Sequence, residues 1–366
     1  MRARPGRQPA QAPAPTPEVL LEVEQLKTVF HTETGVVRAV DGVDFQVRPG
    51  EVLAIVGESG SGKTATALSI LGLLPKATGR IVGGRILYRG KDLAHLHPDE
   101  LRAIRGDRIA MVFQDPLTAL NPVHRVGAQI AEVIEAHRDA SGGQAWQRAV
   151  ELLRLVGIPQ AEQRARDYPH QFSGGMRQRV MIAMAIALDP ELLIADEPTT
   201  ALDVTVQAQI LRVLLDVRER FGMAIILITH DLGVVAGVAD RVLVMYAGQK
   251  VEEADVQTLY GNPKHPYTWG LLGSTTRVDQ PRVAQLAQIP GAPPSLIAPP
   301  PACRFAPRCP YVQALCRQEY PDLRQATVPS HLAACHFATL EDWNPSLPPE
   351  EFGRRERQRE REEASP

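Results

Sequence analysis

A short apolar run followed by a glycine-rich turn constrains this chain more than any other feature. Residues 52–56 read Val-Leu-Ala-Ile-Val, as in a parallel strand that is buried on both faces, and a helical pattern follows at residues 64–74. Between them, residues 57–64 read Gly-Glu-Ser-Gly-Ser-Gly-Lys-Thr and fit the spacing G-x4-G-K-[ST]. This order of strand, glycine turn and helix predicts an α/β domain with a phosphate-binding loop.

The residue types in this loop explain how it would hold phosphate. Glycines let successive backbone N–H groups turn inward, and the following helix adds the positive end of its dipole. Lys63 would reach the β- and γ-phosphates of a nucleotide, and the Thr64 hydroxyl would ligate Mg2+. An ordinary glycine-rich turn is the alternative, but the strand–loop–helix context argues against it. The predicted nucleotide site consists of Gly57, Glu58, Ser59, Gly60, Ser61, Gly62, Lys63, Thr64 and Thr66.

Two further apolar runs end in polar residues. Residues 192–195 lead into Asp196-Glu197, and residues 224–228 lead to His230. Alone, an Asp-Glu pair often caps a turn or helix, and a loop histidine is often structural. Because the carboxyl ends of parallel strands form the ligand-binding edge of open α/β sheets, the catalytic interpretation is favoured. We predict that Asp196 ligates Mg2+, Glu197 orients and deprotonates the attacking water, and His230 contacts the γ-phosphate.

Composition limits the possible classes of protein. The 366 residues suffice for one large domain with an appendage, or for two modest domains, and 44% hydrophobic with 22% charged residues is typical of a globular protein. The formal net charge of -2 argues against a nucleic-acid partner. The longest apolar stretch, residues 180–188, is about half of what crosses a hydrocarbon core of roughly 30 Å. Residues 1–17 lack the apolar segment of a secretion signal, and we interpret them as a disordered leader of a cytoplasmic protein.

The remaining sequence divides into patterned and irregular parts. Residues 20–47 alternate as short strands, which predicts an antiparallel edge. Residues 116–187 are predominantly helical in pattern and predict an inserted helical subdomain. After about residue 261 the chain is proline-rich and irregular, which predicts a C-terminal extension at 262–340. A charged tail is predicted at 341–366.

Residues 172–179, Phe-Ser-Gly-Gly-Met-Arg-Gln-Arg, carry a family resemblance. Ser173 and the amides of Gly174 and Gly175 would begin a helix and so form a second anion-binding end, although a plain helix N-cap is the alternative. The segment resembles the signature motif of ABC ATPases, about 110 residues after the phosphate loop. The resemblance covers about residues 20–261.

The resemblance implies a fold and further site residues. The fold is an α/β, ABC-type P-loop ATPase domain at residues 18–261, with a mixed sheet, an antiparallel β edge and an inserted helical subdomain, followed by an irregular Cys-containing C-terminal extension. Gln114 matches the family's Q-loop glutamine, with a catalytic and Mg2+-binding role, and Asp203 belongs to its D-loop. His230 matches the switch histidine. Phe30 is the candidate for the aromatic side chain that stacks on adenine. The alternative is that Phe30 is an ordinary apolar residue of a strand.

The resemblance also implies partners. In this family two ATPase domains pack head to tail, so that each signature motif closes over the nucleotide of the other. The chain would therefore work with a second ABC ATPase subunit, for which a related but different chain is favoured and a second copy is the alternative. It would also work with two membrane permease subunits contacted near residues 114–121. An extracytoplasmic solute-binding protein would complete the assembly at the cytoplasmic face of the membrane. No nucleic acid is implied.

Two C-terminal segments narrow the resemblance. Residues 262–268, Asn-Pro-Lys-His-Pro-Tyr-Thr, and the cysteine-bearing residues 303–310 resemble oligopeptide and dipeptide importer ATPases. This implies an ATP-hydrolysing motor for di- or oligopeptides, with nickel, glutathione or another solute as the alternative. A soluble ABC ATPase is less favoured, because the chain has one ATPase domain and no sustained heptads.

The four cysteines stand as C-x5-C-x6-C-x18-C. Disulfides are not expected in a cytoplasmic chain, and the absence of a C-x2-C pair makes a zinc ribbon less natural. Thiolate ligation of an iron–sulfur cluster fits four cysteines, and the resemblance points to [4Fe-4S], although zinc and inert thiols stay open. His336 is interpreted as structural. The predicted cluster ligands are Cys303, Cys309, Cys316 and Cys335.

Overall fold

The computed structural model describes residues 19–274, 289–326, 328–340, 343 and 345. The predicted leader at residues 1–17 lies outside the described residues, as does the predicted tail at 341–366 apart from two positions. Of these two, Trp343 is buried, and its Nε1 donates to the Lys264 carbonyl oxygen over 2.7 Å. Packing therefore continues beyond residue 340.

The strands of the described residues form two sheets. They are β1 (Leu21–Thr32), β2 (Gly35–Val47), β3 (Val52–Val56), β4 (Gly79–Tyr88), β5 (Lys91–Asp92), β6 (Ile109–Val112), β7 (Leu192–Asp196), β8 (Ala224–Thr229), β9 (Arg241–Tyr246), β10 (Gln249–Asp255), β11 (Arg324–Gln325) and β12 (Leu332–Ala333).

Helices fill the connections between the strands. They are α1 (Lys63–Ile70), α2 (Pro98–Ile104), α3 (Pro116–Ala119), α4 (Val126–His137), α5 (Gly142–Leu155), α6 (Ala161–Arg164), α7 (Gly174–Ala185), α8 (Val204–Phe221), α9 (Leu232–Val235), α10 (Val256–Gly261), α11 (Pro266–Gly273) and α12 (Ala314–Gln318). None of the helices in the described ranges is long and apolar enough to cross a bilayer.

The larger sheet has the strand order β11-β12-β10-β9-β3-β8-β7-β6. Its centre is parallel, because β3 pairs with β8 and β9, and β7 pairs with β8 and β6, all in the same direction. Val52, Ala54 and Val56 pack into the core on one face of β3, and Leu53 and Ile55 pack into the core on the other. Burial on both faces explains why this strand is apolar throughout.

The smaller sheet is antiparallel, with the order β2-β1-β4-β5. β1 and β2 correspond to the alternating segment at residues 20–47 and turn between Thr32 and Gly35. β4 is a third long strand of this sheet and pairs with β1. The sequence pattern did not predict β4, because its sequence, GRIVGGRILY, contains three glycines that interrupt the alternation.

The predicted helical insertion corresponds to α3–α7, which lie between β6 and β7. Apolar side chains of α4, α5 and α7, among them Ile130, Leu152 and Val180, pack into the core shared with the larger sheet. Helix α5 begins four residues before its apolar periodicity because Ser141 and Gln144 form a capping box at its start.

Candidate functional site

A cavity of about 850 Å3 lies at the carboxyl ends of β3 and β8, beside the phosphate loop. The predicted residues that line it come from the loop and from the ends of neighbouring strands. The lining residues are Val37, Ala39, Glu58, Ser59, Gly60, Gly62, Lys63, Thr64, Ala65, Gln114, Glu197, His230, Leu271, Ser274, Ile289 and Leu296.

The glycines at both ends of the loop are required by space. A Cβ on Gly57 would lie 2.2 Å from the carbonyl oxygen of Met245, and one on Gly62 would lie 2.3 Å from that of Ala39. Gly62 also has φ of 107°, where only glycine is unstrained. Backbone that packs this closely against β9 and β2 leaves no room for larger residues.

Lys63 is buried at the centre of the loop. Its Nζ donates to the carbonyl oxygens of Gly57 over 2.8 Å and Glu58 over 3.0 Å. Burial lowers the pKa of Lys63, while the carboxylates of Glu197, Asp196 and Glu58 oppose this shift. A desolvated cation that faces the cavity is suited to bind phosphate oxygens.

Thr64 and Asp196 are in direct contact, since Thr64 Oγ1 donates to Asp196 Oδ1 over 3.2 Å. Burial raises the pKa of Asp196, and the hydrogen bond from Thr64 works against that rise. Asp196 is buried and Thr64 lines the cavity, so two oxygen ligands lie side by side there. Such a pair matches the preference of Mg2+ for hard ligands, so these residues fit the predicted metal.

The carboxylate of Glu197 contacts the predicted site residues Gln114 and His230 and the neighbouring Thr200. The Gln114 amide donates to Oε2 over 3.1 Å, Thr200 Oγ1 donates to the same oxygen over 2.9 Å, and His230 Nδ1 lies 3.4 Å from Oε1. The backbone of Glu197 has φ of 45°, in the left-handed region that non-glycine residues rarely adopt. Such strain is typical of functional positions, and here it follows directly after β7.

Thr66 and Ser61 of the predicted site do not line the cavity. Thr66 is fully buried and its Oγ1 donates to the Gly62 carbonyl oxygen over 3.0 Å, so it supports the loop from behind. Ser61 is buried as well, and its backbone carbonyl accepts from Gly248 N over 2.9 Å.

Phe30 is not among the cavity residues, which differs from the sequence-based assignment. Its ring packs over Gly79 of β4, where a Cβ would lie 3.2 Å from the Phe30 ring. The apolar wall of the cavity consists instead of aliphatic side chains from β2 and from the C-terminal part of the chain, notably Val37, Leu271, Ile289 and Leu296. Sequence reasoning missed these residues, because the motif that locates phosphates carries no information about distant aliphatic positions.

The residues of the predicted signature motif do not line this cavity. Ser173 is the N-cap of α7, and its Oγ accepts a hydrogen bond from Met176 N over 3.4 Å. A Cβ on Gly175 would lie 2.5 Å from Val206 of α8, so the start of α7 is packed closely on α8. Asp203 caps α8 and accepts from Val206 N over 3.0 Å. Ser173, Gly174 and Asp203 are exposed.

The four cysteines line one small cavity of about 20 Å3, together with His336. Burial raises the pKa of Cys303, raises that of Cys309 to about 12, and raises that of Cys335 well above its usual range. His336 Nε2 lies 3.2 Å from the Glu319 carbonyl oxygen, in agreement with a structural role. Within the described ranges, no three His, Cys, Asp or Glu side chains stand in an arrangement that could hold a metal ion.

Comparisons with known proteins extend these observations. Residues 40–200 match the family described as ABC transporter, and residues 251–316 match the C-terminal region of the oligopeptide/dipeptide transporter family. The probable peptide ABC transporter ATP-binding protein y4tR of Sinorhizobium fredii is 53% identical over 88% of this chain and 96% of its own length. The dipeptide transport ATP-binding protein DppD of Bacillus subtilis is 52% identical over 83% and 90%. The oligopeptide transport ATP-binding protein OppD of Salmonella typhimurium is 49% identical over 91% and 97%.

Solved structures are similar over about two thirds of the chain. The dimeric ATP-binding cassette MJ0796 of a bacterial ABC transporter has a TM-score of 0.57 and 30% identity, over 64% of this chain and 98% of the cassette. Its dimeric post-hydrolysis form bound to ADP and Pi has a TM-score of 0.57 and 29% identity, with the same coverage.

Proposed function

The chain belongs to the family of ATP-binding subunits of oligopeptide and dipeptide ABC transporters, and on this premise we propose that it is the motor subunit of a peptide importer. It has the fold of an ABC ATPase cassette and hydrolyses ATP. The observation that carries the proposal is the convergence of Lys63, Thr64, Gln114, Glu197 and His230 on one cavity beside the phosphate loop. The relatives that match over most of their length transport dipeptides or oligopeptides, so nickel, glutathione or another solute is not favoured.

The residues of the cavity divide the work of hydrolysis. Lys63 exchanges its bonds to the loop carbonyls for bonds to the β- and γ-phosphates, and the loop N–H groups hold the phosphates from below. Glu197 accepts the proton of the attacking water, and Gln114 and Thr200 fix the direction of its carboxylate. His230 is 58% exposed and faces Glu197, which suits a contact to the γ-phosphate.

Thr64 and Asp196 would hold Mg2+, which stabilises the negative charge that develops during phosphoryl transfer. Their side chains already touch each other over 3.2 Å, and burial disfavours the Asp196 carboxylate as long as no cation accompanies it. Asp196 therefore has an electrostatic reason to bind a cation.

The active unit we propose is a head-to-tail pair with a second ABC ATPase subunit, a related but different chain. Ser173, Gly174 and Asp203 are exposed and do not line the cavity of their own chain, which leaves them available to the nucleotide of a partner. The N-terminus of α7 is an anion-binding end, because its first N–H groups have no partner within the helix.

The contact with two permease subunits would lie near residues 114–121, at the cytoplasmic face of the membrane. Large apolar side chains are exposed here, with Phe113 at 38%, Leu117 at 64% and Val123 at 74%. Exposed apolar side chains that cluster in one region are typical of interaction sites. An extracytoplasmic binding protein would complete the importer and deliver the peptide.

Co-purification from membranes tests this assembly. We expect the chain to be recovered with integral membrane subunits in mild detergent, and the double variant Leu117→Asp, Val123→Asp to lose them while its affinity for ATP is unchanged. Val82→Asp is the matched control, because Val82 is 58% exposed on β4 of the smaller sheet. Recovery of the wild-type chain without membrane subunits, or equal recovery of the double variant, contradicts the proposal.

For the domains we propose a cassette at 18–261, with a helical subdomain at about 116–187, and a C-terminal extension at 262–340.

We propose that the four cysteines of this extension bind a [4Fe-4S] cluster. The donor set supports a thiolate-bound group, since Cys303, Cys309, Cys316 and Cys335 face one cavity. The cavity between the thiols measures about 20 Å3, and the described side chains are not arranged to hold a metal ion, so binding of either a cluster or a single ion requires the cysteine side chains to rearrange. Iron and sulfide analysis of anaerobically purified protein, with its visible spectrum, decides between them: one zinc and no iron excludes the cluster.

A further inference from the structure

Arg308 connects the C-terminal part of the chain to the phosphate loop. It is the last residue of the 3-10 turn Ala306–Arg308, directly before Cys309, and its side chain is 5% exposed. Nη1 of Arg308 donates to Oε2 of Glu58 over 2.7 Å, and Nη2 donates to Oε1 over 2.9 Å. We call this pair of bonds the Arg308–Glu58 fork. A bidentate fork fixes the orientation of a carboxylate in addition to pairing its charge.

The other contacts of Arg308 hold its guanidinium in one place. Nε donates to the Pro290 carbonyl oxygen over 3.0 Å, Nη2 to that of Ile289 over 3.1 Å, and Nη1 to Tyr246 Oη over 3.3 Å. The hydrogen bonds to Glu58 are the largest cause that raises the pKa of Arg308. Arg308 is therefore a fixed, fully hydrogen-bonded cation whose only carboxylate partner in the described residues belongs to the phosphate loop.

Glu58 is held by its backbone as well as by its side chain. Its N–H donates to Tyr267 Oη over 2.8 Å, and its carbonyl oxygen accepts from Lys63 Nζ over 3.0 Å. Tyr267 follows the cassette, at the start of α11. Two residues outside the G-x4-G-K-[ST] segment, Tyr267 and Arg308, thus hydrogen-bond to the second residue of the loop.

An aromatic cluster of Tyr246, Tyr267 and Phe305 supports both contacts. The ring centroids are 4.6 Å apart for Tyr246 and Tyr267, 5.3 Å for Tyr246 and Phe305, and 5.5 Å for Tyr267 and Phe305. Phe305 lies between Cys303 and Cys309 in sequence, so the cysteine-bearing turn and the support of the phosphate loop share one packed core. Distances in this range are typical of favourable ring pairs.

We propose that Arg308 is a positioning residue for ATP, which acts by holding the phosphate loop in place through Glu58. A loop that is already ordered loses less conformational entropy when the phosphates bind, so the effect should appear in affinity for ATP. The inference rests on the ATP-binding role proposed above, but nothing in the motif G-x4-G-K-[ST] requires an arginine 250 residues away.

The test compares ATP affinity in Arg308→Ala, Glu58→Ala and the double variant of the full chain, with a fluorescent ATP analogue. A charge-assisted bidentate pair corresponds to an effect of roughly tenfold or more on Kd. We expect Arg308→Ala to raise Kd about tenfold, and the double variant to be no weaker than the weaker single variant, because both changes remove the same fork. Arg308→Lys keeps the charge without the fork and should give an intermediate Kd.

The control is Arg324→Ala, since Arg324 is an exposed arginine of the same region that pairs with Asp322. It should leave Kd unchanged. In the assembled transporter, Arg308→Ala should raise KM for ATP and leave kcat within about threefold. A folded Arg308→Ala variant with Kd within twofold of wild type overturns the inference, as do additive effects in the double variant. If Arg308→Ala does not fold, Arg308→Lys with wild-type Kd overturns it equally. If the Arg308 variants have wild-type Kd and hydrolyse ATP normally in the assembled transporter, the inference about Arg308 fails and the motor function stands. Absence of ATP hydrolysis by the wild-type transporter would contradict the motor function instead.

Discussion

The side-chain amide of Gln114 donates to the carboxylate of Glu197 over 3.1 Å, although 83 residues separate them in sequence. Gln114 follows β6 and Glu197 follows β7, and these two strands are parallel neighbours. Because the helical insertion α3–α7 lies between them along the chain, the Gln114–Glu197 contact joins the proposed base to the segment that leads to α3. A movement of the insertion would therefore change the hydrogen bonding of Glu197.

Glu197→Gln is expected to bind ATP but to hydrolyse it at least a hundredfold more slowly, since an amide cannot accept the proton of the attacking water. The measurement is phosphate release by the assembled transporter, with ATP binding measured separately. Glu191→Gln is the control, because Glu191 pairs with Arg89 and Arg108 at the other end of β7. Near-normal turnover of Glu197→Gln would remove Glu197 from its assigned role.

Leu296→Ala is expected to weaken ATP binding about threefold to tenfold. Leu296 lies in the apolar wall of the cavity, and loss of an apolar contact of this size corresponds to about 1 kcal/mol. Phe30→Ala should change Kd less than twofold, because the Phe30 ring packs over Gly79. Ile297→Ala is the matched control, since the Ile297 side chain lies against Gly35. A larger effect of Phe30→Ala than of Leu296→Ala would support Phe30 as the adenine-stacking residue and contradict the role of Leu296.

The thiol of Cys309 should be protected from alkylation in the folded, metal-free chain. Burial raises the pKa of this thiol to about 12, so the thiolate fraction at pH 8 is far smaller than in an unfolded chain. We expect alkylation by iodoacetamide to be at least a hundredfold slower in the folded chain than in guanidinium chloride, as followed by mass spectrometry. Equal rates in both conditions would contradict the burial of this residue.

The stability of the chain should fall between pH 7 and pH 5 because of His265. This side chain is fully buried, and burial lowers its pKa from 6.5 to about 4, with the carboxylate of Glu252 opposing the shift. Between these values the proton binds the unfolded chain and not the folded one, which favours unfolding as pH falls. The free energy of unfolding should decrease by about 2 kcal/mol from pH 7 to pH 5.

Urea unfolding at several pH values measures this effect. His265→Asn keeps an acceptor for the Tyr267 N–H and removes the titrating group, so its pH dependence should be weaker. His31→Asn, at an exposed position of β1, should keep the wild-type dependence. An unchanged dependence in His265→Asn would exclude His265 as the cause.

Local motifs are enough to name candidates at the phosphate end of the site. A strand end or a fixed spacing identifies Lys63, Thr64, Asp196, Glu197 and His230, and their roles in binding and catalysis stay predictions. Positions that depend on distant packing were not predicted. Leu296 reaches the cavity because its carbonyl accepts from Arg38 N over 2.9 Å, and no periodicity in a proline-rich segment indicates such a contact.

The chain changes in composition near residue 261, but side chains from both sides of this position pack together. Glu252 of β10 is completely buried, and its carboxylate interacts with Lys264 N over 2.6 Å, His265 N over 3.0 Å and His331 Nε2 over 2.8 Å. Every one of these donors comes after residue 261. β12 also covers the edge of β10. A chain cut at residue 261 would leave a carboxylate without donors and a bare sheet edge, which favours aggregation. The cassette and its extension therefore cannot be exchanged as modules, and a chimera between relatives should be joined upstream of β10.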